Sequence, residues 1–200
     1  MASVVNICNS ALRKVGASVI TGLSQGTKNA NFCNDRYAEL RDALLEMHPW
    51  NFAVKRVKLA QTTTVPVIKF DHTYALPADF IRVINVHDSN EGEGIVDHKV
   101  EGNKIVCSAD EVWMIYISLI TDPNEMSPLF RETLASMIAI EAATAITESR
   151  ALREQMVGEF DRLLRRARSA DSQGDLPDRM PVGSWVTGRT GRLTQRRWTW

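Results

Sequence analysis

The proline at position 49 limits what this chain can become more than any other residue. Ahead of it, Ala30, Cys33, Tyr37, Leu40, Leu44 and Met47 recur at three and four residues. That is the buried stripe of an amphipathic helix over 29–48. A proline ring clashes with the turn before it and pushes the preceding residue toward extended backbone, so the helix has to stop. From Trp50 the pattern reads as strand, with Phe52, Val54 and Val57 set among lysine and arginine. A helix that runs into a strand through Pro-Trp ties a helical layer to a β layer. Pro49, Trp50 and Phe52 are the expected structural joint, with Trp50 and Phe52 wedged into the core rather than placed in a catalytic site.

The flanking sequence supplies both layers. Val4, Ile7, Ala11 and Val15 share one face of a short helix that Ser3 can cap and Gly16 can end. Residues 16–28 read as loop. Between 50 and 120 short β patterns follow one another: Tyr74-Ala-Leu-Pro77, Phe80 to Val86, and a hairpin over Val96–Val100 and Ile105–Cys107 with Gly102-Asn103 at its turn. Val112 to Leu119 is the most apolar strand. Trp113, Ile115, Ile117 and Leu119 fall on one face and Met114 and Tyr116 on the other, which predicts a central or interface position. Helical spacing then returns. Ser127 followed by Pro128 is a cap with proline at the first helical position. Leu134, Met137, Ile138, Ala142, Ala145 and Ile146 line one face of that helix, and its alanines allow another helix to approach closely. A last helix from about Ala151 has the stripe Leu152, Met156, Phe160, Leu163 and Ala167. Arg162, Arg165, Arg166 and Arg168 near its end suit the helix dipole. The expected class is α+β: a bundle of about four helices (3–48 and 128–170) with an inserted antiparallel β module (50–120), making one domain over 1–171 and an extended C-terminal arm over 172–200.

Charge and chemistry narrow the function classes. The formal net charge is zero, which argues against general electrostatic capture of nucleic acid or anionic membrane. Three widely spaced cysteines without a CxxC point to reduced, buried thiols and synthesis in a cytoplasm. No signal-peptide pattern is visible, and no apolar run approaches the ~20 residues that span a bilayer. His48, His72, His87 and His98 form none of the HxxH, HExxH or HxH spacings, and Glu39, Asp42 and Glu46 read as a solvated helix face. Gly92-Glu-Gly94 lacks the remainder of a phosphate loop, and Ser184 is not flanked as a nucleophile elbow. The expectation is no enzyme, no cofactor and no metal.

Beyond Asp178 the chain has no acidic residue. It carries five arginines, Arg179, Arg189, Arg192, Arg196 and Arg197, and three of the five tryptophans, Trp185, Trp198 and Trp200. Disordered tails are poor in aromatics. A docked tryptophan buries about 150–250 Å², and tryptophan and arginine are the residues most enriched at interface hot spots. The expected use of Trp185, Arg189, Arg192, Arg196, Arg197, Trp198 and Trp200 is docking on a partner chain. Folding back on the chain's own helices, or binding single-stranded nucleic acid, are the alternatives.

Ile7-Cys-Asn-Ser-Ala-Leu12 with Val15-Gly16, Leu40 through Trp50-Asn-Phe52 with Leu59, Tyr74-Ala-Leu-Pro-Ala-Asp-Phe80, Tyr116 to Met126, and Phe130-Arg131 with the alanine-rich helix after them occur in that order. In this order and over about residues 3–170 the chain resembles the tail tubular protein A family, the head-to-tail adaptors of short-tailed bacteriophages. The arm matches in character and not in residues. The resemblance implies a structural virion protein at the head–tail interface, assembled in the host cytoplasm. It implies a homo-oligomer, a ring of twelve, between the portal protein and a tail nozzle protein like tail tubular protein B. Phage DNA would pass through its channel during ejection without sequence-specific binding. It leaves room for a tail-fibre contact, involves no membrane, and transfers no catalytic residue. The rival readings are a nucleic-acid-binding protein using Arg162–Arg168 and the arm, a head completion protein of long-tailed phages, and a hydrolase carried in the particle.

Overall fold

The structure, a computed structural model, describes residues 1–90 and 94–174. Among the described residues, four helices form where the sequence offers a side-chain cap. Helix α1 (Val4–Lys14) begins where the Ser3 hydroxyl accepts the Asn6 N–H (3.1 Å). It closes ahead of Gly16, whose φ of +70° suits a residue without a Cβ. Helix α2 (Lys28–Glu46) is capped by Thr27, α3 (Pro128–Ala145) by Ser127 with Pro128 in its first turn, and α4 (Arg150–Ser172) by Ser149. Helix α3 packs against the other three helices. Its alanines and small polar residues make this possible: Thr133, Ala135, Ser136, Ala139, Ala142 and Ala143 are all buried.

Among the described residues, six strands make two antiparallel sheets. Strands β1 (Val54–Lys58), β3 (Phe80–His87) and β6 (Trp113–Ser118) form one, in the order β1-β6-β3. Strands β2 (His72–Ala75), β4 (His98–Glu101) and β5 (Lys104–Cys107) form the other, in the order β2-β5-β4. The β4–β5 turn is Gly102-Asn103, with positive φ at Gly102, the arrangement of a glycine-first hairpin turn. The class is therefore α+β, with about four helices and two small sheets.

The apolar strand β6 is central in its sheet, and its two faces serve two cores. Ile117 belongs to the core shared with α1, α2, α3 and α4, together with Trp50, Phe130, Leu134 and Ile138. Met114 and Tyr116 point the other way, into a core with Tyr74, Ile105 and Cys107 of the second sheet. The described residues thus stack in three layers: helices, the β1-β6-β3 sheet, and the β2-β5-β4 sheet.

Several expectations need correcting. Trp50 and Phe52 do not start a strand: Asn51–Ala53 is a single 3-10 turn, and pairing begins at Val54. The proline forces the chain to bend before it can extend. Met47 and Ala145 are exposed, because each helix ends at that point and its last turn leaves the core. In α4 it is Leu164, not Leu163, that packs on the core. This helix runs to Ser172, and no basic residue lies in its last turn.

Because β6 joins two cores, Ile117→Ala should lower stability by about 2–5 kcal/mol. Urea unfolding followed by far-UV and by near-UV circular dichroism should still give one coincident transition. Two separated transitions would mean that the layers unfold independently.

Candidate functional site

Stopping α2 at a proline leaves carbonyls at its end without helical partners. The residues around the stop supply donors. The Trp50 indole Nε1–H donates to the Leu44 carbonyl (2.9 Å), and the Trp50 backbone N–H reaches back to the His48 carbonyl (2.9 Å). The Arg168 guanidinium of α4 donates to the Met47 carbonyl (3.2 Å). Trp50 is thereby held fully buried. Its ring meets Phe130 of α3 edge-on at 5.1 Å, and Phe52, half-buried, meets the same Phe130 at 5.1 Å. Such pairs add about 0.5–1.5 kcal/mol beyond their buried area. Pro49 itself is exposed.

A charged cluster closes over this wedge. Asp171, near the end of α4, accepts the Asn51 N–H (3.1 Å to Oδ2) and stands 3.3 Å from His48 Nε2. The Asn51 amide donates in return to the Asp171 carbonyl (2.8 Å). Arg168 from α4 and Arg82 from β3 both act on His48. The His48 imidazole is held below its ordinary pKa. Burial is the main cause and the two guanidiniums add to it, while Asp171 opposes them. His48 is therefore neutral near pH 7, and its contact with Asp171 is a hydrogen bond rather than an ion pair. The cluster brings α2, β3 and α4 to one point, and it fixes where the chain leaves α4. A hollow of about 450 Å³ lined by Asn51, Pro128, Leu129, Ala167 and Ala170 lies beside that exit.

The other side chains singled out in the sequence are dispersed. Trp185, Arg189, Arg192, Arg196, Arg197, Trp198 and Trp200 lie outside the described residues. Arg162 bonds to its own helix at the Gly158 carbonyl (3.2 Å), Arg165 and Arg166 are exposed, and Arg168 serves the end of α2 rather than the end of its own helix. Of the acidic face, Glu39 pairs with Arg36 and Asp42 with Arg41. His72 contacts Asp110 (3.1 Å), a residue the sequence did not connect with it. Cys8, Cys33 and Cys107 are free and buried. Cys8 and Cys33 touch across the α1–α2 seam, and that hydrogen bond together with burial pushes the Cys8 thiol up. Among the described residues no three His, Cys, Asp or Glu side chains gather as a metal site, and no helix is long and apolar enough to cross a membrane. The partners of the joint, Arg82, Phe130, Arg168 and Asp171, escaped sequence reading because they lie 30 to 120 positions from it. Of these, only Arg168 carries a local signal, its place in the basic run 162–168.

Trp50→Ala should cost about 3–5 kcal/mol. Trp50→Phe should cost about 1–3 kcal/mol, because it leaves the Leu44 carbonyl buried and unpaired; urea unfolding measures both. A folded-state pKa below the unfolded value means that the His48 contribution is complete above pH ~6.5 and is lost as pH falls through the lowered value. The unfolding midpoint should therefore drop between pH 7 and 5, and His48→Gln should flatten that drop. Compared with known protein families and with curated proteins, the chain matches none.

Proposed function

We propose that this chain is a structural adaptor, a head-to-tail connector of the tail tubular protein A kind. Copies form a ring, twelve on the strength of the resemblance, between a portal protein and a tail nozzle, and the genome passes through it. The observation that carries this reading is the clamp at the joint. It pins the end of α4 to the α2–β1 turn through Asp171 and Arg168. Residues 175–200, with their tryptophans and arginines, follow directly from that pinned end. A ring that grips another ring needs each arm to depart from the same place on each subunit, so that many weak contacts act together. The ordered motifs over 3–170 support the same reading. Net charge of zero suits a channel that must release DNA.

A second reading has one observation in its favour: Arg162, Arg165 and Arg166 all lie exposed on α4. A nucleic-acid-binding protein built on them would show DNA affinity that falls steeply with salt. The adaptor would not.

The full chain mixed with the portal protein of the same phage should give a defined multi-subunit assembly by native mass measurement. A stable monomer that ignores the portal overturns the reading. Truncation after Gly174 keeps Asp171 and its clamp, and should leave the unfolding midpoint unchanged while weakening portal attachment about a hundredfold or more. Unchanged attachment would remove the arm from the docking role.

A further inference from the structure

Two of the three cysteines face each other. Cys8 lies on α1 and Cys33 on α2, 25 positions apart, and both are fully buried. Their sulfurs meet across the seam between the two helices, the Cys8 S–H donating to Cys33. The loop that joins the helices holds this seam in register. Asn9, beside Cys8, accepts the Ile20 N–H on its side-chain oxygen (2.8 Å) and donates its amide to the Ile20 carbonyl (2.9 Å). Asn29, at the start of α2, donates to the Ser18 carbonyl (2.8 Å). The Tyr37 hydroxyl is buried nearby without a hydrogen-bond partner and engages neither sulfur. Cys107 stays apart, in the other core with Tyr74 and Ile105.

A disulfide forms only between side chains that already point at one another, and the fold brings these two together. The hydrogen bond also singles out the attacking group. It holds the Cys33 thiol below its ordinary pKa, although burial opposes it, so Cys33 is the sulfur that carries thiolate. The same bond and burial keep the proton on Cys8. Both sulfurs are shut off from solvent, so reaction waits on the transient opening of α1 from α2, the kind of local unfolding that native proteins undergo.

We propose that Cys8 and Cys33 are a redox-set staple, which a small disulfide such as oxidised glutathione closes to tie α1 to α2. The Cys33 thiolate attacks the oxidant, forming a mixed disulfide and releasing one thiolate. Cys8 gives up its proton, attacks the Cys33 sulfur and releases the second. The two protein thiols thus lose two electrons and two protons, and the oxidant leaves as two thiols. Reducing compartments keep the staple open, and oxidising ones close it. The inference stands on the α1–α2 seam and does not rest on the adaptor reading.

Mass measurement on the full chain tests this. The chain is held with oxidised glutathione in urea just below its unfolding transition, where α1 opens most often, then quenched in acid, unfolded and alkylated. One thiol, Cys107, should react, and digestion should yield a peptide pair joining Cys8 to Cys33. Cys107→Ser should form the same link, and Cys8→Ser should form none. The closed chain should unfold at a temperature about 5–10 °C higher, and dithiothreitol should return it to the reduced value. Three reactive thiols after this treatment, stable glutathione adducts in place of the internal bond, a link through Cys107, or a closed chain that unfolds at the same or a lower temperature would each overturn the staple.

Discussion

The rest of the structure depends on how the end of α2 is satisfied. Proline stops the helix just past the fully buried Leu44, and a buried carbonyl without a partner costs free energy. Here one side chain answers two demands at once. The Trp50 indole donates to Leu44 and fills the space between α2 and α3 against Phe130. Because the indole must satisfy both, the angle at which the chain departs into β1 is set. A flexible linker at the same place would leave the two layers free to turn.

That constraint propagates through β6. Strand β1 pairs with β6, and β6 gives Ile117 to the helical core and Met114 and Tyr116 to the second sheet. The far side is held in the same manner. Asp79 takes hydrogen bonds from Lys55 (2.7 Å) and Tyr116 (3.0 Å), which hold its carboxyl below the usual range despite its burial, and burial first and Asp79 second push the Tyr116 hydroxyl up to about 12. On the helical side, Lys14 bridges Glu132 of α3 and Glu159 of α4. The charged cluster of His48, Arg82, Arg168 and Asp171 then fastens the last helix to the joint. In the adaptor reading this uniformity is the function: subunits that close a ring must share one internal angle.

Much of this was legible in the sequence, because helix caps, periodicity and proline act locally. Ser3 and Ser127 cap the helices they were expected to cap, and the two-faced pattern of 112–119 announced the central strand. What escaped was non-local. Nothing in the spacing of Asp171 and Asn51, 120 positions apart, says that they bond. The division of the β region into two sheets was equally hidden, since short alternating strands do not reveal which neighbour they choose. The wrong start of β1 has a local cause: the turn after Pro49 uses three residues whose composition still reads as strand.

A joint set in this way should make the helices and the β1-β6-β3 sheet one cooperative body. Native-state amide hydrogen exchange tests it directly. The amides of β6 and of the last turns of α2 should exchange with the same opening free energy as the core of α3, through global unfolding. Exchange in β6 through a separate opening, at markedly lower free energy than in α3, would contradict it.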